Sequence, residues 1–169
     1  MTRIGISGGQ LKHLNLEQII QKADGYGADG LELHWGANIP SLREVGRLKE
    51  LLDTSHKTVD VLNSSLFHSP GELEDLAQVN ATLDQCLRAA EKLSSPFILV
   101  YCACPPRDNL DDPMAQAETR RYLDALKPWA AGCAEKGITL VVENFFDSLM
   151  RSPQATLRPR SSERDPAGC

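Results

Sequence analysis

Five short apolar runs divide the chain, and amphipathic stretches fill the spaces between them. "RIGIS" (3–7), "GLELHW" (30–35), "TVDVLNSS" (58–65), "FILVYCAC" (97–104) and "ITLVVE" (138–143) read as strands, being short, β-branched or aromatic, and bounded by turn residues. In the last run Ile138, Leu140, Val141 and Val142 follow almost without interruption, which suits a strand buried on both faces. The intervening segments have the helical period. The clearest places Leu73, Leu76, Val79, Leu83, Leu87, Ala90 and Leu93 at steps of three or four. Three helix starts read as capping boxes: Asn15 with Gln18, Ser41 with Glu44, and Ser69 with Glu72 followed by Pro70 at the first helical position. Asp112-Pro113 opens a fourth helix in a similar way, and Gly27 and Gly137 mark two helix ends.

Strands that alternate with helices run parallel, joined by right-handed crossovers. Two α/β architectures fit this order. One is a partial (β/α)8 TIM barrel covering about five βα units. The other is a complete five-stranded doubly wound sheet, flavodoxin-like. Glu32 and His34 alternate with Leu31, Leu33 and Trp35. That gives one strand a polar face at its C-terminal end and an apolar face opposite. An inward-facing barrel strand behaves this way, whereas a central strand of an open sheet meets helices on both sides. Polar residues also follow the other strands: Ser7 and Gln10, then Asn63, Ser64 and His68, then Asn109, then Glu143 and Asn144. Both architectures gather ligands at this end, so the barrel is favoured without excluding the open sheet.

Composition narrows the class. The chain has 169 residues, 41% hydrophobic and 24% charged, enough for one domain with a core. A net charge of −5 argues against a general affinity for nucleic acid. No apolar run approaches the ~18 residues of a membrane span. The first strand begins almost at Met1, which leaves no room for a signal peptide. A cytoplasmic location is expected. The five cysteines form no C-x-x-C pair and read as reduced structural thiols.

After Asp147 the texture changes. Residues 151–169 hold four arginines, three prolines and three serines. Ser152-Pro153 starts a helical segment that Pro159 blocks. We expect residues 1–157 to be the N-terminal part of a barrel and 158–169 to be a disordered tail. A reading-frame change or truncation near Leu157 would account for it, and a natural tail is the alternative.

These segments resemble the xylose isomerase-like TIM-barrel superfamily of sugar phosphate isomerases and epimerases. "RIGISGG" is similar to its first strand, "ADGYGADGLELHWG" to its second, "SSLFH" to its third-strand end and "LVVENFFDS" to its fifth. The resemblance implies a sugar or sugar phosphate substrate and a proton or hydride moved between adjacent carbons. It also implies one divalent metal (Mn2+, Mg2+, Co2+ or Zn2+) held by Glu, Asp, His and Glu from strands five to eight. Glu143 would be the first of these ligands and a catalytic acid or base, and Glu32, His68 and His34 would line the substrate pocket. The other three ligands lie beyond the fifth strand, so metal binding should be weak or absent and activity impaired. Phe145 stands where the family often has His.

Blander readings exist for each residue. Glu143 could end its strand in a salt bridge, and Glu32 could sit in a buried ion pair with Lys12 or Arg3. His68 could be a polar loop residue, and His34 could lie among the loops. His13 and His56 read as exposed. "GISGGQ" lacks both G-x-G-x-x-G and a following Lys-Ser/Thr, so it is not a phosphate loop. A non-catalytic truncated product is the second functional reading and a flavodoxin-like binding domain the third. A partial barrel leaves open sheet edges, through which self-association is expected.

Overall fold

The computed structural model describes residues 4–67, 74–102 and 113–143. The order is β1 (Gly5–Ser7), a 3-10 turn (Gly8–Leu11), α1 (Leu16–Gly25), β2 (Gly30–His34), α2 (Leu42–Ser55), β3 (Thr58–Asn63), α3 (Leu76–Leu93), β4 (Phe97–Tyr101), α4 (Pro113–Glu135) and β5 (Thr139–Glu143). The five strands are parallel and lie side by side in sequence order. That order decides the architecture. A flavodoxin-like sheet puts its first strand between the second and third. Here β1 is an edge and every crossover leads to the next strand, which is the order of a TIM barrel. The described residues form a partial barrel and not a closed one. Among the described residues, β1 and β5 each have a single strand neighbour.

The two faces of the sheet differ. On β4, Ile98, Val100 and Cys102 are buried while Phe97, Leu99 and Tyr101 are partly exposed. The register pairs Phe97, Leu99 and Tyr101 with Thr139, Val141 and Glu143 of β5. One face therefore packs against helices, and the other is the inner face of the barrel. The expectation that 138–143 would be buried on both faces is corrected. Ile138 is buried, but Leu140 through Glu143 are only partly so on both faces, as β5 has one strand neighbour among the described residues.

The outer core is continuous from α1 across α2 to α3, with Leu31, Leu33, Leu48, Leu62, Ala89 and Ile98 near zero exposure. A second cluster joins Phe67, Val100, Tyr122 and Leu126 under α4. Phe67 and Tyr122 meet edge to face with ring centroids 5.2 Å apart.

Several local expectations are met and some are corrected. Asn15 and Gln18 form a full capping box at α1. Ser41 precedes α2 but makes no side-chain cap hydrogen bond. The cap of α3 is Asp75, whose carboxylate accepts from the Gln78 N–H at 3.1 Å. Leu76 therefore falls in the first turn of α3 and is 45% exposed instead of lying on the buried stripe. The Ser69–Glu72 box, Leu73, His68, Asn109, Cys104, Asn144 and all of 144–169 lie outside the described residues. His13 and His56 are exposed as expected. No helix of the described residues is long and apolar enough to cross a membrane.

Truncating side chains on the two faces should give unequal losses. Leu62→Ala, on the buried outer face, should cost about 2–5 kcal/mol in urea unfolding. Phe97→Ala, at a ring already 40% exposed on the inner face, should cost less than half as much. Equal losses would mean that the inner face is covered.

Candidate functional site at the C-terminal ends of the strands

The inner face turns polar at one rim. Successive strands bring Ser7, then Glu32 and His34, then Asn63, Tyr101 and Glu143 to their C-terminal ends. Ser7 is in register with Glu32, His34 with Asn63, and Tyr101 with Glu143. His34 and Glu143 thus end their strands at the same end of the sheet, with Glu32 two residues before His34. His68 lies outside the described residues.

Asn63 joins these groups. It is fully buried. Its Nδ2 donates to Glu32 Oε1 at 2.9 Å and to the Tyr101 hydroxyl at 2.8 Å. Its Oδ1 accepts from the Ser65 N–H at 3.0 Å. The backbone turns sharply here, with Ser65 at φ 56° and Phe67 at φ 64°. Non-glycine residues visit this left-handed region at some cost. The ladder continues past the strand end all the same: Ser64 N–H donates to Leu99 O and Tyr101 N–H to Leu66 O. Tyr122 donates its hydroxyl to the Tyr101 carbonyl and ties the end of β4 to α4.

His34 lies beneath the Gly8-Gly9 turn. A side chain on Gly9 would come within 2.9 Å of its Nε2, and one on Gly8 within 2.4 Å of Asn38 Oδ1. "GISGGQ" therefore needs its glycines for close packing on β2. Asn38 Oδ1 accepts from the His34 backbone N–H at 2.9 Å. The imidazole is 4% exposed. Its Nε2 sits 3.3 Å from Glu32 Oε1, outside hydrogen-bond geometry. The Nδ1 makes no hydrogen bond among the described residues. The alternative reading paired Glu32 with Lys12 or Arg3; its partners among the described residues are His34 and Asn63, and Arg3 lies outside them.

The two carboxylates are driven apart. The imidazole beside Glu32, together with donors on Asn63 and Ser7, outweighs burial and holds its carboxyl at about 2. Burial pushes Glu143 up, the Glu32 charge adds to that, and His34 opposes it. Tyr101 is also pushed up, first by burial and then by Glu143 and Glu32, against the Asn63 hydrogen bond.

No family model and no curated protein matches this chain. Solved structures do. A D-tagatose 3-epimerase-like protein aligns over 92% of this chain with 18% identity and a TM-score of 0.70. A 3-DHS dehydratase from Bacillus anthracis, AsbF, aligns over 92% with 15% identity and a TM-score of 0.72. The IOLI protein, solved with a bound zinc atom, aligns over 92% with 12% identity and a TM-score of 0.75. The likeness shows a shared TIM-barrel fold. The chain spans 59%, 57% and 56% of the length of these three proteins. As a partial TIM barrel, it carries its polar groups at the rim where that fold places chemistry.

Among the described residues no group of three His, Cys, Asp or Glu side chains could hold a metal. Glu143 is one carboxylate, and a hard divalent cation fills about six positions. The described residues do not by themselves fit a metal site.

Sequence reading missed the roles of Asn63 and Tyr101. Asn63 was legible as a polar strand end but not as the bridge. Tyr101 had a signal, since alternation in "FILVYC" puts it on the face opposite Ile98, Val100 and Cys102.

Glu32 has its folded-state value depressed from 4.5 to about 2. Its stabilising effect is therefore full above 4.5 and is lost as the pH falls toward 2. Glu32→Gln should lower stability at neutral pH and flatten its pH dependence over that window. Acid unfolding curves of variant and parent that run parallel would contradict the assignment.

Proposed function

We propose that this chain is part of a sugar or sugar phosphate isomerase- or epimerase-like barrel in which Glu143 moves a proton at a carbon beside a carbonyl. The observation that carries this reading is the split between two carboxylates on one rim. A carboxyl raised by burial is a better base near neutral pH, while one held ionised is a fixed hydrogen-bond acceptor. Glu143 takes the first part. Glu32, held by His34 and Asn63, takes the second and accepts from a sugar hydroxyl. His34 thus acts on the pocket through Glu32. His68 remains a candidate for the same pocket from the loop after β3. The likeness to a D-tagatose 3-epimerase-like protein supports a ketose as substrate class.

A divalent metal would supply electrophilic stabilisation of an enediolate, and Glu143 would be its ligand on this chain. The remaining ligands would come from outside the described residues. Three buried free cysteines, Cys86, Cys102 and Cys133, suit a reducing, cytoplasmic compartment.

Proton abstraction can be read without following product. In D2O, the full chain with D-tagatose should exchange deuterium into the carbon beside the carbonyl, as followed by proton NMR. Glu143→Gln should lower that rate by about 10²–10⁴-fold. No exchange by the parent chain, with or without added Mn2+, would end this reading.

The second reading is a non-catalytic chain that self-associates. It is favoured by the single-neighbour edges at β1 and β5 and by Phe97 on the open inner face. Such edges template pairing with another chain. Sedimentation should then show dimers or larger species that dissociate on dilution. A monodisperse monomer at high concentration would remove this reading.

A further inference from the structure

Two buried side chains at the end of β2 are complementary, yet they do not bond to each other. His34 is 4% exposed and Asn38 is 5% exposed. The His34 main-chain N–H donates to Asn38 Oδ1 at 2.9 Å. The amide oxygen must face that donor, so Nδ2 points elsewhere as a donor. The Asn38 N–H in turn donates to the His34 carbonyl at 2.9 Å, which holds residue 38 against the main chain of residue 34. His34 Nε2 stands 3.3 Å from Glu32 Oε1. An ionised carboxylate offers only lone pairs, so the nitrogen that faces it carries the hydrogen. In a neutral ring Nδ1 is then an acceptor. It is also the ring nitrogen nearer the main chain, where the Asn38 amide lies. Neither Asn38 Nδ2 nor His34 Nδ1 makes a hydrogen bond among the described residues. The Gly8-Gly9 turn closes over both residues, since a Cβ on Gly8 would meet Asn38 Oδ1 and one on Gly9 would meet His34 Nε2.

We infer that Asn38 Nδ2 and His34 Nδ1 hold one buried water between them, which accepts from the amide, donates to the ring, and so sets the imidazole with its hydrogen on Nε2 toward Glu32. A buried donor and a buried acceptor left without partners are both costly. Water is the ligand that satisfies such pairs inside proteins, given at least two polar partners. The amide hydrogens would repel a cation. The Nδ1 lone pair and the Glu32 charge would repel an anion. A small neutral molecule that both donates and accepts is what the two groups fit. Asn38 is then a positioning residue, acting on Glu32 through the water and His34. This holds whether or not Glu143 moves a proton.

The full chain, labelled with 15N and 13C, tests this without substrate. Long-range proton–nitrogen spectra should show His34 with its hydrogen on Nε2 and a bare, hydrogen-bonded Nδ1. Nuclear Overhauser spectra should show the Asn38 amide protons in contact with a long-lived water. A hydrogen on Nδ1, or Asn38 amide protons without a water contact, would overturn the inference. Asn38→Asp keeps the oxygen that accepts from the His34 N–H and replaces the donor with an acceptor. The water should then donate to position 38 and accept from the ring. Nδ1 should gain a hydrogen, read as a shift of its nitrogen signal into the protonated range. An Nδ1 signal unchanged from the parent would also overturn the inference. If Asn38→Asp does not fold, the two spectra of the parent chain decide the matter.

Discussion

The rim depends on one amide. Asn63 donates one hydrogen to Glu32 and one to Tyr101, and so links three adjacent strands on the inner face. The amide is fully buried, and a buried polar group left without partners is costly. Its bonds are therefore a structural requirement as well as a chemical one. Their direction fixes what the neighbours do. Glu32 is held ionised, and Tyr101 is held as an acceptor on one side.

The network is possible because the fold separates its two faces. On the outer face, Leu62, Ile98 and Val100 are buried against helices. On the inner face the same strands carry Asn63 and Tyr101. Parallel strands with helices on one side bring every C-terminal end to the same rim. Charge then accumulates there, and charge in a partly buried place shifts neighbouring equilibria. Glu143 is raised partly because Glu32 is kept low.

Much of this was legible in the sequence. The period-two pattern of Glu32 and His34 against Leu31 and Leu33 gave the inner and outer faces of β2, and the acid at Glu143 marked the end of β5. The strand order needed the structure, because alternating strands and helices fit both a barrel and an open sheet. The partners of Glu32 were also beyond reach. They depend on the register of β2 against β3, which carries an irregularity between Leu31 and Glu32. Ser41 looked like a cap from its spacing alone, yet its side chain makes no cap bond. Asp75 was overlooked because Ser69, Pro70 and Glu72 gave a stronger pattern a few residues earlier.

The Asn63 bridge can be observed directly. The side-chain amide of Asn63 gives two proton resonances in a nitrogen-edited NMR spectrum, and both can be followed as pH is lowered. The account predicts that both protons are protected from solvent exchange, and that the one facing Glu32 begins to move only well below pH 4.5, toward the depressed value of about 2. Rapid exchange of both protons, or a shift centred near the ordinary glutamate value, would contradict it.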